Sequence, residues 1–444
     1  MKIIIAGAGE VGRHVAKMLS NENHEILIMD SDEEHLQDLD SNYDMLTHQG
    51  SPTSIKDLML CGVKDCDLFI AVTPEESINI NSGILASQLG AKKVLSRINN
   101  YEYLLPKNKE IFKALGIDIL VYPEMLAASE IVQSLRRNWI REYRTFCNEA
   151  LILVCIKVRN NASIINKQFK SGFFNHEKYR IVAIKRHNQT IIPGGNDEIL
   201  ANDLVYFICA KTNLEFVKED AGKTYFDIKN IIIMGGSSIA LKTVQYLPSH
   251  INVKIIESDK NKCYELADQT DTLIIHGDGR NIDLLKDEGI EEADAFIAIT
   301  GNSETNVLAC LAAKRLGIRK TIAEVENIDY IDLADNLDIG TIINKKLIAA
   351  SHIYQQTLDD DANEVQCLTY SDAVIVEFIV KPGDRITRHK VKDLRLPHDV
   401  NIGGIVRDGK GYVVNGDTMI LPSDHVVLFC RSNELLKIAK FFNN

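Results

Sequence analysis

The sequence predicts an α/β protein: two doubly wound parallel-sheet domains, each followed by a small β-rich α+β module. Three observations predict it. The chain of 444 residues repeats itself: "DLFIAVT", ending at Thr73, returns as "DAFIAIT", ending at Thr300, an offset of 227 residues. The same offset carries Asp30 to Glu257, Gly50 to Gly277 and Asn79 to Asn306, so a whole domain is duplicated rather than one strand. Within each copy, continuous apolar runs alternate with helical patterns, which is how a parallel sheet covered on both faces is written. After each copy comes a short stretch rich in strands and turns, and these also answer each other: "NDLVYFIC" at 202–209 and "SDHVVLFC" at 423–430.

In chain order, β-type runs stand at 2–6, 25–29, 68–72 and 93–96. The helical patterns "SDEEHLQDL" and "ESININSGILASQLG" lie between them, and Ser31 with Glu34 has the spacing of a capping box that would start the first. This first sheet domain is expected over residues 1–122. A crossover helix follows at 123–143, where Leu126, Val132, Leu135 and Trp139 mark an apolar stripe. It could pack on its own domain or cross onto a partner domain, and the pattern fits both. The first β-rich module occupies 144–220 and the second sheet domain 228–344. A second helix and linker, 345–362, carries "LIAASHI" in answer to "MLAASEI", and its Asp359–Asp361 run reads as a solvated linker. The second β-rich module fills 363–444.

Composition removes several classes of function. The net charge is −12 and the pI about 5.5, which argues against nucleic acid as a partner because phosphate backbones need a basic face. The longest apolar stretches, such as "LILVCI" at 151–156, are strand-sized, far from the roughly 18 residues a membrane span needs. The N-terminus lacks the pattern of a signal peptide. Nine cysteines are scattered singly, and the closest pair, Cys61 and Cys66, has no common zinc spacing. No metal site is therefore expected, and buried thiols in a reducing compartment are. "GKT" at 222–224 lacks the strand and leading glycine of a phosphate loop. The sequons at Asn161 and Asn188 would matter only in a secreted protein.

The chemistry concentrates in "IIIAGAGEVGRHVA" at 3–16. Gly7, Gly9 and Gly12 follow a strand and open a helix, the context in which a glycine triplet forms a tight turn, lets backbone approach a pyrophosphate, and packs helix on strand. The helix start then offers free N–H groups to phosphate oxygens. Gly7, Ala8, Gly9, Glu10 and Val11 are the candidate phosphate turn. Asp30 ends the next strand, where an acid accepts hydrogen bonds from an adenosine ribose and disfavours a 2′-phosphate. Thr73 and Pro74 follow the strand at 68–72, and Arg97 ends the strand at 93–96, on the same sheet edge. The second copy reads "IIIMGGSSIALKTV" at 231–244. Gly235 survives, but Ser237 replaces the second glycine and Ala240 the third. Glu257 retains the acid, and Glu324 reverses the charge of Arg97. A weaker second site is expected at Gly235, Gly236, Ser237, Ser238, Ile239, Glu257 and Glu304. The acids Glu257, Asp278, Glu304 and Glu324 raise the alternative of cation-assisted binding there.

The Rossmann-like repeats with their short β-rich partners, and in particular "KIIIAGAGEVG", "HQGSPTS", "DLFIAVTPEESIN", "IIHGDGRN", "DAFIAITGNSETN" and "LPHDVNIGGIVRDGKGYVVNGDTMILPSDHVVLF", resemble the tandem RCK (regulator of potassium conductance) family of potassium-uptake subunits. The resemblance covers almost the whole chain. It implies no enzymatic activity, a ring of RCK units formed by self-association into a homotetramer, and NAD(H) or ATP/ADP as regulatory ligand. It also implies an integral membrane potassium-pore subunit of the Trk type as partner, and a peripheral place on the cytoplasmic face of the plasma membrane. The competing class is an NAD-dependent oxidoreductase, which would need an acid/base group beside the nicotinamide. The β-rich modules offer no His/Cys/carboxylate cluster with catalytic or metal spacing.

Overall fold

The structure, a computed structural model, describes residues 1–20, 24–40, 45–174, 177–187, 189–327, 329–356, 365–368, 373–397, 399–431, 434, 437–438 and 440–442. The acidic run Asp359–Asp361 and Asn188 lie outside the described residues. The chain divides into two compact units, Met1–Ala127 with Asn344–Asp359, and Ala128–Ile343 with Asp360–Asn444.

The first unit is built on six strands: β1 (Lys2–Ala6), β2 (Glu25–Asp30), β3 (Leu46–Gln49), β4 (Leu68–Ala71), β5 (Lys93–Arg97) and β6 (Ile119–Val121). Their order is β3-β2-β1-β4-β5-β6, and all pairs are parallel. Ile3, Ile4 and Ile5 are fully buried because helices cover both faces of the central strand. Helix Glu10–Leu19 buries Val11, Val15, Ala16, Met18 and Leu19. Helix Glu76–Leu89 ends at Gly90, whose φ of 118° takes the left-handed turn a side chain would resist. The order reverses between β1 and β4, which opens a crevice beyond their C-terminal ends.

Two local expectations shift. The helix expected to start at Ser31 starts at Glu34, with Asp32 Oδ1 accepting from Glu34 N–H at 3.0 Å. Asp30 already holds the Asp32 N–H at 2.9 Å, which keeps the chain extended for longer. Trp139 lies beyond the end of helix Pro123–Arg136 and packs instead against the first β-rich core.

The two crossover helices follow different paths. Helix Pro123–Arg136 begins in the first unit and ends in the second. There Ser134 donates to Thr341 Oγ1 at 3.3 Å. Helix Lys345–Gln355 follows the second sheet in sequence but belongs to the first unit, where it packs on helix Glu10–Leu19. Asn344 caps it, accepting from Leu347 N–H at 2.9 Å. Ala349, Ala350, Ile353 and Tyr354 are its buried residues. The two alanines permit close approach, and burial of Ile353 contributes roughly 1.5–3 kcal/mol.

The second unit holds three sheets. The first β-rich module comprises β7 (Glu142–Phe146), β8 (Leu151–Lys157), β9 (Tyr179–Arg186), β10 (Gln189–Ile191) and β11 (Leu204–Ala210), ordered β10-β9-β11-β8-β7 and antiparallel. The second parallel sheet comprises β12 (Asn230–Met234), β13 (Asn252–Glu257), β14 (Leu273–His276), β15 (Ala295–Ala298), β16 (Lys320–Glu324) and β17 (Thr341–Ile343), ordered β14-β13-β12-β15-β16-β17. It repeats the topology of the first. The last module comprises β18 (Val365–Cys367), β19 (Ala373–Ile379), β20 (Val400–Arg407), β21 (Lys410–Val413) and β22 (His425–Arg431), ordered β18-β19-β22-β20-β21.

The two β-rich modules pack on each other. A Cβ on Gly403 would collide with the Ile208 side chain, and one on Gly411 with the Ala150 carbonyl, so glycine at both positions lets the sheets meet. Tyr206 and Phe429 meet at 5.9 Å, and Arg180 donates to Asn401 Oδ1 at 2.8 Å and to the Val414 carbonyl at 2.9 Å. The second parallel sheet is fastened to the first β-rich module through Asp338. Its carboxylate receives Arg141 at 2.9 Å, Lys314 at 3.1 Å and Arg159. Burial pushes the Asp338 carboxyl up, but these cations outweigh it and hold it at about 2.

Candidate nucleotide site

The candidate residues of the first sheet collect at the C-terminal ends of β1, β2, β4 and β5. The turn after β1 needs Gly7, with φ of 112°, and a Cβ there would press on Thr73 N at 2.9 Å. Gly12 sits so close under the turn that a Cβ would collide with the Gly7 carbonyl. Gly9 differs from both: its backbone is extended, and nothing lies within 4 Å of where a Cβ would be. It is the N-cap residue of helix Glu10–Leu19 and supplies no side-chain cap. The first-turn N–H groups thus face an open cradle at the positive end of the helix dipole.

Asp30 and Asn79 hold this cradle together. Asp30 Oδ2 accepts from Ala8 N–H at 2.6 Å and Oδ1 from Asp32 N–H at 2.9 Å. Each carboxylate oxygen retains a second lone pair for a ribose hydroxyl. Asn79, fully inside at 1% exposure, accepts from Thr73 N–H at 2.8 Å. It donates to the Thr73 carbonyl at 2.9 Å and to the Arg97 carbonyl at 3.1 Å. One amide thereby ties the loop after β4, with Thr73 and Pro74, to the end of β5. Sequence reasoning placed Asn79 in the repeat and gave it no role; its return as Asn306 is the signal that could have revealed it. Arg97 Nε is buried without a hydrogen-bond partner. An unsatisfied buried donor costs about 1–3 kcal/mol, which an anionic oxygen would offset. The open Gly9 cradle and the orphaned Arg97 nitrogen both fit a bound dinucleotide or adenine nucleotide.

Glu10, the one acid in the first turn of that helix, faces a cation from the second repeat. Lys346, on helix Lys345–Gln355, pairs with Glu10 Oε2 at 2.7 Å. The pair lowers the negative charge at the mouth of the cradle. No spacing in the sequence predicts it, because 336 residues separate the partners (10 to 346).

The second sheet repeats the scaffold and changes the cradle. Gly235 keeps the left-handed turn with φ of 102°, again against the loop after the fourth strand. Asn306 reproduces the bracket, accepting from Thr300 N–H at 3.1 Å and donating to the Glu324 carbonyl at 2.9 Å. Where Gly9 is open, Ser237 caps its own helix, with Oγ accepting from Ala240 N–H at 3.4 Å. Gly236, Ser238 and Ile239 complete that turn, and a Cβ on Gly236 would collide with Leu266. Glu257 accepts from Gly236 N–H at 2.8 Å, from Asp259 N–H at 2.9 Å and from Ser258 Oγ at 3.2 Å. Lys262 lies 3.6 Å from it, where the first sheet has His35 beside Asp30. Burial raises the Glu257 carboxyl, but these hydrogen bonds and Lys262 outweigh it and hold the group below its ordinary value. Glu257 is therefore spent on its own loop.

The four second-sheet acids do not form a cation cage. Glu304 sits in the first turn of helix Ser303–Arg315, Asp278 is paired with Arg280 at 2.7 Å, and Glu324 is buried at 4% exposure. Among the described residues, the one group of three convergent metal-type ligands lies elsewhere, at Cys147, Glu377 and His425. Sequence spacing missed it because its members come from both β-rich modules.

No helix among the described residues is long and apolar enough to cross a membrane. A family model described as the TrkA-N domain matches residues 3–123 and 231–345, and one described as the TrkA-C domain matches residues 153–221 and 375–443. The chain is 30% identical to the Trk system potassium uptake protein TrkA of Haemophilus influenzae over 457 aligned positions, covering 100% of this chain and 98% of that protein. It is 29% identical to the Trk system potassium uptake protein TrkA homolog of Archaeoglobus fulgidus, with both chains covered in full. A solved structure of the GsuK channel bound to NAD aligns with 99% of this chain and 78% of that one, at 14% identity and a TM-score of 0.57, which marks a shared fold.

Proposed function

The chain belongs to the TrkA family of alternating TrkA-N and TrkA-C domains, and from that premise we propose that it is the nucleotide-binding regulatory subunit of a Trk-type potassium uptake system. The observation that carries the ligand assignment is the open Gly9 cradle beside the orphaned Arg97 nitrogen. Gly7, Ala8, Gly9, Glu10 and Val11 would receive the phosphates at the helix start, Asp30 a ribose, and Arg97 a phosphate oxygen, with Thr73 and Pro74 closing the edge. NAD(H) and ATP/ADP both carry these groups, and Asp30 favours a ribose without 2′-phosphate. Residues Gly235 to Ile239, with Glu257 and Glu304, would form at most a weak second site.

Regulation requires the ligand to bind two conformations unequally. Moving a gate from about 1:99 to 99:1 takes roughly 5.5 kcal/mol of differential binding, or about 1.4 kcal/mol at each of four sites in a homotetrameric ring. Helix Lys345–Gln355 offers the route out of the site. It packs on the helix that opens the cradle, pairs Lys346 with Glu10, and continues by covalent linkage into β17. The partner is an integral membrane potassium-pore subunit, which would hold the chain at the cytoplasmic membrane face.

The test is rubidium uptake in cells that lack their own Trk regulatory subunit and carry the cognate pore. Restored uptake with wild-type chain, and loss of its nucleotide response with Arg97→Glu, is the expected result. Turnover of NADH by a metabolite pool, with no effect on uptake, would favour an oxidoreductase instead.

A further inference from the structure

Three ligand-type atoms from two β-rich modules converge outside the nucleotide site. Cys147 Sγ lies 3.0 Å from Glu377 Oε1, and His425 Nδ1 lies 2.6 Å from the same oxygen. All three donor atoms lie within 4.8 Å of one another. Cys147 starts the turn between β7 and β8, whereas Glu377 is on β19 and His425 on the neighbouring β22, opposite Ile379. Glu377 is 9% exposed. Sulfur, imidazole nitrogen and carboxylate oxygen are the donor set of zinc and its neighbours, and calcium or magnesium would choose oxygen alone.

The geometry suits a small tetrahedral ion. Metal bonds of about 2.3 Å to sulfur and about 2.0–2.2 Å to nitrogen and oxygen place ligand atoms roughly 3.3–3.6 Å apart. The two separations from Glu377 Oε1 need to open by some tenths of an ångström, with Sγ and Nδ1 already within 4.8 Å of each other. At present two hydrogens, on Sγ and Nδ1, point at one carboxylate oxygen, and a cation would take the place of both. Binding would release the thiol proton to solvent and shift the imidazole proton to Nε2. The turn that presents Cys147 is costly: Cys147, Asn148 and Glu149 have φ of 47°, 54° and 66°, three consecutive left-handed residues without a glycine. The ion pair of Glu149 with Lys211 and the Phe146–Leu151 strand pairing hold it in place. Cys155, Cys209 and Cys430, also in the β-rich modules, are enclosed, and burial pushes their thiols up. Cys147 is only partly buried and shares Glu377 Oε1 with His425.

We propose that Cys147, Glu377 and His425 form a site for a divalent transition-metal ion of the zinc class, with water as fourth ligand, that clamps the first β-rich module to the second. The duplicated positions do not repeat it: Cys155 stands where Glu377 does in the other module, and Leu204 stands at the position of His425, so one ion per chain is expected.

The full-length chain, stripped with a chelator, would be titrated with Zn²⁺ against a chromophoric competitor and separately with Co²⁺. One ion per chain, a thiolate-to-cobalt charge-transfer absorption and a higher melting temperature with Zn²⁺ are expected. Cys147→Ser and His425→Gln should each weaken binding by at least about tenfold, with metal-free melting little changed. His425 is partly exposed, so its variant keeps the test valid if Cys147→Ser folds poorly. Equal Zn²⁺ affinity in wild type and both variants, or a cobalt form without the thiolate band, would overturn the proposal. So would loss of the band in Cys263→Ser but not in Cys147→Ser, because Cys263 is a partly buried thiol outside the cluster.

Discussion

The two glycine turns of this chain share a frame and differ in what the frame leaves open. Both keep a left-handed first glycine, an acid that staples the turn, and an asparagine that brackets the loops after the fourth and fifth strands. In the first sheet the helix start has no side-chain cap and Arg97 has a buried nitrogen to spare. In the second, Ser237 caps its own helix, Lys262 and three hydrogen bonds occupy Glu257, and Glu324 stands where Arg97 would. The lesson is that the motif residues do two separable jobs. The left-handed glycine, the acid and the asparagine, which build the turn, survive duplication, whereas Gly12 and the residues proposed to meet a ligand, Gly9 and Arg97, are replaced.

That comparison can be broken at four places. The largest effect is expected from Arg97→Glu, which copies the second sheet into the first. Loss of a charge-assisted bond and added repulsion should cost about 3 kcal/mol or more, at least about a 150-fold loss of nucleotide affinity by calorimetry. Unchanged affinity would mean that Arg97 does not read phosphate.

Next comes Glu257→Gln, whose effect should fall on stability and spare the tight site. A carboxyl whose folded-state value is depressed stabilises the fold above its ordinary titration range, and that contribution disappears as pH falls through the folded-state value. Wild type and Glu257→Gln should therefore differ in melting at pH 7 by about 1–3 kcal/mol and converge in acid. A variant that instead lost nucleotide would make Glu257 a ligand rather than a staple.

Gly9→Ser installs the self-capping residue of the second turn. It should weaken nucleotide binding by about 1 kcal/mol, roughly fivefold, and the reverse change, Ser237→Gly, should cost only a few tenths of a kcal/mol in stability. A tight second site appearing in Ser237→Gly would show that the cap alone silenced it.

The smallest effect belongs to Lys346→Ala. A half-exposed ion pair contributes up to about 1 kcal/mol, so folding and affinity should change little. The uptake response to nucleotide should fall if helix Lys345–Gln355 carries the signal. A full response in the variant would remove that pair from the route.

Much of this was legible in the sequence, for physical reasons. Strands at 2–6, 25–29, 68–72 and 93–96 are buried on both faces and so read as unbroken apolar runs; they appear as Lys2–Ala6, Glu25–Asp30, Leu68–Ala71 and Lys93–Arg97. Edge strand Leu46–Gln49, written "LTHQ", is half polar and left no such trace. Helix Lys345–Gln355 packs on the first repeat because of which alanine-lined face finds a match, and local periodicity does not encode the identity of that match. Asp30 was readable from its place at the end of β2, but its stapling of Ala8 needs coordinates. The Lys346–Glu10 pair and the Cys147–Glu377–His425 cluster join residues from different repeats, where no spacing rule applies.

The most direct measurement is the stoichiometry of nucleotide binding, by isothermal titration of NADH, ATP and ADP into the full-length chain and into Arg97→Glu and Glu257→Gln. One tight site per chain, abolished by Arg97→Glu and retained in Glu257→Gln, is the expected result. Two equally tight sites, or a site that survives Arg97→Glu and disappears with Glu257→Gln, would contradict the assignment of nucleotide sensing to the first sheet.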